Sequence, residues 1–249
     1  MVIIKSSREI KKIRAACRIV AEALEVIKQI IRAGINTRDI ENAADREIRI
    51  RGGAPAFKGY RGYPASICVS INEQVVHGIP STAVILKDGD IVSIDMGVLL
   101  DGFYGDAAIT VPVGNISAEA SRLLKTTEEA LYAGIQKAVA GNRVSDISAA
   151  IQGHVEINGF SVVRAFVGHG IGRFLHEEPQ IPNFGKPGRG QRLKEGMTLA
   201  IEPMVNIGGS DIMILKDGWT AVTSDGSFSA HFEHTIAIAD NGQEILTKI

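Results

Sequence analysis

SIDMGVLLDGFYGDAAITV, residues 93–111, reads as one β-hairpin: two apolar runs, 91–99 and 103–111, meet at a Leu100-Asp101-Gly102 turn signal. Centring the turn between Leu100 and Asp101 predicts that Asp95 lies directly opposite Asp106. Like charges facing each other across a ladder are destabilising, so this register calls for a cation between the two carboxylates. It also sets Val92, Ile94, Met96 and Val98 opposite Ile109, Ala107, Gly105 and Phe103, one continuous apolar face. The other face carries Ser93, Asp95 and Gly97 opposite Ala108, Asp106 and Tyr104, small or polar residues suited to a cavity wall. Two hairpin acids alone are ordinary surface residues, so the rest of the chain has to decide between the two readings.

The 249 residues are 45% hydrophobic and 22% charged with a net charge of −1, which places the chain among globular proteins at the upper end for a single core. No basic stripe is present, so a nucleic-acid partner is not expected. The opening MVIIKSSREIKKIR turns charged after four residues, which argues against a secretory signal, and no run reaches the ~18 apolar residues of a membrane span. Cys17 and Cys68 form no metal-ligand spacing; a cytoplasmic chain with reduced thiols is the expectation.

Ser6 with Glu9 makes a capping box, and Ile10, Ile13, Cys17, Val20, Leu24 and Ile27 recur at helical spacing up to Gly34. A second helix is predicted from Thr37 to about Arg51, a third from Ser117 to about Ala140, and a fourth from Ser145 to about Asn158. Strand-like segments fall at 67–71, in the 90–111 hairpin, and at 161–167, 197–207, 211–215, 219–223 and 229–238. Two helices, strands, two helices, strands is an α+β order with an internal echo, helices covering one face of a mostly antiparallel sheet.

Three further segments embed ionisable residues in apolar or glycine-rich surroundings: His169 and His176 in VGHGIGRFLHEEP, Glu202 in MTLAIEPMV, and Glu233 in SAHFEHTIAIA. Each has an ordinary reading as a turn histidine, a strand-end glutamate or a solvated loop. Charges are seldom buried without partners, however, and a shared metal site accounts for them together. Converging, Asp95, Asp106, His169, Glu202 and Glu233 would carry four negative charges, which two divalent cations balance. Such a pair, bridged by carboxylates, activates water for hydrolysis. Oxygen donors with one nitrogen and no thiolate suit Mn, Fe, Co or Zn.

These segments resemble the methionine aminopeptidases of type I, which have the pita-bread fold. The resemblance runs over PAFKGYRGYPASICVSINEQVVHGIP (55–80), IDMG…GD (94–106), VGHGIG…HEEPQIPNFG (167–185), LAIEPMV (199–205) and FEHTIAI (232–238). It implies a single catalytic domain, 1–249, of two related α/β halves sharing one core. Its ligands fall on the five residues already selected: Asp106 and Glu233 as bridges, Asp95 at one ion, His169 and Glu202 at the other. The activity implied is removal of the initiator methionine from nascent polypeptides whose second residue is small. His77 would contact the scissile amide, His176 would stabilise the oxyanion, and Glu202 would shuttle the proton to the leaving amine. Tyr60, Tyr63, Cys68, His77, Leu175, His176 and Trp219 would form the methionine pocket, polarisable walls suited to a thioether. The resemblance further implies a cytoplasmic monomer with, at most, transient contact with the ribosome.

The chain departs from the pattern in two places. His231 stands where glutamine is expected; it either supports the metal ligands or forms pocket wall, and the wall reading is preferred. Leu175, preceded by Phe174, stands where relatives often carry phenylalanine beside the second histidine. Two other readings share the fold: a prolidase or aminopeptidase P, usually with a sizeable amino-terminal domain, and a peptide-binding relative without catalysis, expected to have lost metal ligands. Purely structural metals fit poorly with an open, histidine-flanked site.

Overall fold

The hairpin turns on two residues with left-handed backbone, Asp101 at φ 47° and Gly102 at φ 77°. That is the conformation of a two-residue primed turn, which Asp-Gly favours because both central positions need positive φ. Strands Ile91–Leu100 and Phe103–Pro112 therefore close at Leu100↔Phe103, and the register moves two residues from the one expected. Asp95 pairs with Ala108, and Asp106 pairs with Gly97. The two acids are diagonal neighbours rather than direct opposites. A shift of two keeps every side chain on its face, so the apolar face and the cavity face stand as expected.

The computed structural model describes residues 2–240 and 242–248. Helix α1, Ser7–Ile30, starts at Ser6 with the Ser6/Glu9 capping box formed, and α2 spans Thr37–Ile50. Helix α3, Ala118–Lys137, is capped by Ser117. Helix α4, Val144–Ile157, begins one residue before Ser145, the expected start. There the Asp146 carboxylate accepts the Arg143 backbone N–H at 2.7 Å, while the Ser145 hydroxyl bonds the Arg189 backbone instead. No helix is long and apolar enough to cross a membrane among the described residues.

Every strand pairing among the described residues is antiparallel. The large sheet runs Ala54–Pro55, Ile91–Leu100, Phe103–Pro112, Glu233–Ala239, Thr198–Ile201, Val167–Gly170, Glu177–Pro182, with Cys68–Ile71 and Gly242–Ile245 paired alongside. Val20, Leu24 and Ile27 of α1 and Ile40 and Ile48 of α2 pack on Ile94, Met96 and Val98. Leu123 and Leu131 of α3 and Ile147 and Ile151 of α4 do the same for Leu199, Ile201 and Ile236. Gly105 lets α1 approach: a Cβ there would lie 2.6 Å from the Cys17 backbone nitrogen. The helices thus occupy the hairpin's apolar side and leave the Asp95/Asp106 side facing a cleft.

Candidate metal centre and its cleft

Ala108 is flanked on both sides, by Asp95 on one neighbouring strand and Glu233 on the other. This small residue leaves room between two carboxylates whose strands lie two inter-strand spacings, ~9.6 Å, apart. His169 pairs with Ala200 on the strand that ends at Ile201, just before Glu202. Ligand atoms of Asp106, His169 and Glu233 lie within 4.8 Å of one another, and all three residues are buried. Glu202 joins them through its Oε1, 3.6 Å from His169 Nε2. Its carbonyl, fixed by the Asn183 side-chain amide at 3.0 Å, holds the turn before Pro203.

His169 Nδ1 lies 2.9 Å from the Gly170 carbonyl oxygen. A carbonyl only accepts, so Nδ1 carries the proton and Nε2 turns its lone pair to the carboxylates. Burial pushes all four carboxyls up: Asp95 and Glu202 to about 7, Asp106 and Glu233 well above their ordinary values, the latter two also by their carboxylate neighbours. Asp95 Oδ1, Asp106 Oδ1 and Glu233 Oε1 are buried without a hydrogen-bond partner. Orphaned buried oxygens of this kind need an explanation, and the lining offers only Arg61, at the exposed rim, as a basic counterweight. Four carboxyl groups around one imidazole fit divalent cations with oxygen and nitrogen preference.

The expected metal, catalytic and pocket residues all line one cleft of about 150 Å³: Tyr60, Tyr63, Cys68, His77, Asp95, Asp106, His169, Leu175, His176, Glu202, Trp219 and Glu233; His231, expected as pocket wall, is buried and does not line it. Tyr63 donates its hydroxyl to the Gly78 carbonyl at 2.9 Å and meets Trp219 edge-on, centroids 5.2 Å apart. Trp219 is placed by Asp217, whose Oδ1 accepts its backbone N–H at 2.8 Å. His77 sits at φ 62°, a left-handed conformation costly for a non-glycine residue, with Phe166 and Trp219 edge-on to its ring. Burial lowers His77 to about 4, so the ring is neutral near pH 7. His176 is lowered too, by burial and then by His169, and its Nδ1 lies 2.9 Å from the Tyr60 hydroxyl. Burial, with Asp95 next, raises the Cys68 thiol well above its ordinary value; it is wall rather than nucleophile.

Phe57 and Arg61 also line the cleft without having been singled out, although both lie within the 55–80 stretch. Gly97 was the available signal for Phe57: a Cβ there would come within 2.6 Å of the Phe57 ring. His231 is buried behind Glu202, its Nε2 3.6 Å from Glu202 Oε2.

Metallopeptidase family M24 matches residues 11–240. The chain is 55% identical to a methionine aminopeptidase of Clostridium perfringens over 249 residues, all of both chains. Its fold superposes on the crystal structure of methionine aminopeptidase from Thermotoga maritima with a TM-score of 0.99 at 49% identity, covering both chains fully. Prolidase from Pyrococcus furiosus shares the fold, with a TM-score of 0.81 at 24% identity over 99% of this chain and 66% of that one.

Proposed function

The chain belongs to metallopeptidase family M24, and from that membership and its full-length likeness to methionine aminopeptidases we propose that it releases the N-terminal methionine of polypeptides whose second residue is small. It is a metal-dependent exopeptidase. The observation that carries the reading is one cleft with two characters. Its floor is a buried set of four carboxylates and one imidazole with orphaned oxygens, and its walls are Tyr63, Cys68, Leu175 and Trp219. At about 150 Å³ the space suits a single side chain rather than a whole ligand, and thiol, aromatic and aliphatic walls suit a thioether.

Asp95, Asp106, His169, Glu202 and Glu233 would hold two divalent ions, of Mn, Fe, Co or Zn. Bound there, such ions supply Lewis acidity toward the scissile carbonyl and water acidified enough to attack it. Glu202 would take the proton given up by the attacking water and return it to the departing amine nitrogen. With the Tyr60 hydroxyl, 2.9 Å away, donating to His176 Nδ1, the ring proton would lie on Nε2. His176 then offers that N–H to the carbonyl oxygen as negative charge develops there. His77, neutral and held in a costly conformation, contacts the scissile amide. Tyr60, Tyr63, Cys68, Leu175 and Trp219 close around the methionine side chain and exclude water.

The substrates proposed are N-termini of nascent polypeptides, met by a cytoplasmic monomer with transient ribosome contact; at a net charge of −1 no nucleic acid is expected. The test measures methionine release from Met-Ala-Ser and Met-Leu-Ser, and hydrolysis of an Xaa-Pro dipeptide whose first residue is not methionine, by metal-stripped protein with Mn, Fe or Co added back. Metal-dependent cleavage of Met-Ala-Ser alone is expected, abolished in folded Glu202→Gln. Cleavage of the Xaa-Pro substrate alone would move the chain to the prolidase branch, and full activity in Glu202→Gln would remove Glu202 from the proton path.

A further inference from the structure

We infer that His231 is a positioning residue for Glu202, an imidazole that orients the carboxylate from the side opposite His169. The inference rests on the metal-centre reading above. Glu202 lies between two rings: Oε1 is 3.6 Å from His169 Nε2, and Oε2 is 3.6 Å from His231 Nε2. Both separations exceed a hydrogen bond, so neither ring owns the carboxylate in this arrangement. The rings differ in their other commitments. The His169 Nδ1 proton is engaged by the Gly170 carbonyl, which leaves an Nε2 lone pair fit for an ion. His231 Nε2 is buried without any hydrogen-bond partner.

The His231 backbone is pinned from two directions. Its N–H is donated to Thr110 Oγ1 at 2.9 Å, and the Thr110 hydroxyl is 2.7 Å from its carbonyl oxygen. The residue also pairs with Met204, two positions after Glu202, on the adjacent strand. With the side chain 2% exposed, the ring has little room to leave. A buried ring nitrogen without a partner is costly, and the carboxylate oxygen beside it is Glu202 Oε2, at 3.6 Å. With its Nδ1 proton on the Gly170 carbonyl, His169 turns a lone pair rather than a donor toward Glu202, and His231 is the imidazole able to donate to it. A small rotation of the carboxylate then closes the gap to hydrogen-bond length. The consequence is a fixed direction for the oxygen that must receive and return a proton.

The test exploits reach. A glutamine amide nitrogen extends about as far as histidine Nε2, an asparagine nitrogen only about as far as Nδ1. His231→Gln and His231→Asn are compared by calorimetric titration with Co(II), by the visible absorption of the bound cobalt, and by Met-Ala-Ser turnover. The expectation is that His231→Gln stays within a few-fold of the parent in all three. His231→Asn should lose about 10- to 100-fold in Co(II) affinity or in kcat, with an altered cobalt spectrum and KM little changed. Equal behaviour of the two variants, whether both intact or both impaired, overturns the inference, because the nitrogen's position would then not matter. Thermal unfolding of the metal-free forms checks that each variant folds. Should His231→Asn not fold, His231→Met, which fills the volume without a donor, takes its place in the comparison. The cobalt titration needs no peptide, so it decides the role of His231 even if the substrate assignment fails.

Discussion

Replacing Gly105 with alanine will destabilise the protein and disturb Asp106 beside it. A Cβ on Gly105 would lie 2.6 Å from the Cys17 nitrogen, 2.8 Å from Cys17 Cα and 2.9 Å from the Ala16 carbonyl carbon. All three are backbone atoms of α1, so no side chain can step aside. Restoring ordinary contact at 3.4 Å asks the helix to retreat by about 0.8 Å, and a gap of that size forfeits about a quarter to a half of each contact along the helix. The cost should be about 3 kcal/mol, the upper end of ordinary overpacking, or roughly 6–12 °C in Tm for a chain of this size. Gly153→Ala is the control. Gly153 lies within α4 with helical backbone, and a methyl group added there would meet nothing within 4 Å, so alanine should stabilise by roughly 0.5–1 kcal/mol. Urea unfolding of metal-free protein reads both, and Co(II) titration reads Asp106. A Gly105→Ala variant as stable as the parent would show that α1 does not press on the hairpin as described.

Three further outcomes follow from particular contacts. Tyr60→Phe removes the hydroxyl held 2.9 Å from His176 Nδ1; a lost hydrogen bond of about 0.5–1.5 kcal/mol should lower kcat for Met-Ala-Ser about 2- to 10-fold, and unchanged kcat would remove Tyr60 from that role. Lys5 and Glu177 pair at 2.6 Å with both side chains buried, and Glu177 Oε1 also accepts the backbone N–H groups of Arg173 and Phe174, in the loop leading to Leu175 and His176. Lys5→Met should therefore cost about 3–5 kcal/mol by stranding the carboxylate, and the double variant Lys5→Met/Glu177→Gln should recover part of it in a double-mutant cycle; additive losses would argue against the coupling. The Glu9 carboxyl is held down at about 2, against an ordinary 4.5, first by the Ser6 backbone N–H, then by the Ser6 hydroxyl and Arg173. A depressed carboxyl stabilises the fold above its unfolded value and loses that contribution as pH falls toward its folded one. Stability of the parent relative to Glu9→Gln should thus shrink between about pH 4.5 and pH 2, and parallel acid-unfolding curves would contradict the cap.

The candidate site is far more legible in the sequence than the geometry that assembles it. Asp95, Asp106, His169, Glu202 and Glu233 stand out because each interrupts an apolar or glycine-rich run, where an unpartnered charge is costly. The hairpin register is not legible to better than two residues: Leu100, Asp101 and Gly102 allow more than one turn centre, and only the paired positive φ angles of Asp101 and Gly102 select one. The period-2 pattern survives a two-residue slip unchanged, which is why the faces agree with expectation while the partner of Asp95 does not. Strands Val167–Gly170 and Glu177–Pro182 escape recognition as strands because glycine, histidine and proline mask their alternation. The start of α4 differs from expectation because its cap is a carboxylate reaching back from Asp146, not the more familiar serine. Phe57 gives no signal of its own; its place beside Gly97 is a contact between segments distant in sequence.

The five side chains proposed to hold metal are spread from Asp95 to Glu233, on or just beyond strands that become neighbours only when the sheet is complete. No partly folded chain holding the hairpin alone can offer more than two of them. An ion that binds only the finished form adds to its stability by mass action, about 2.7 kcal/mol at a free concentration one hundred times Kd. It also relieves the crowding of four buried carboxyls that burial drives toward protonation. On the proposed reading, metal supply would act on how long each molecule survives unfolding and proteolysis as well as on how fast it turns over. A cell short of the right cation would hold fewer intact copies, not merely idle ones.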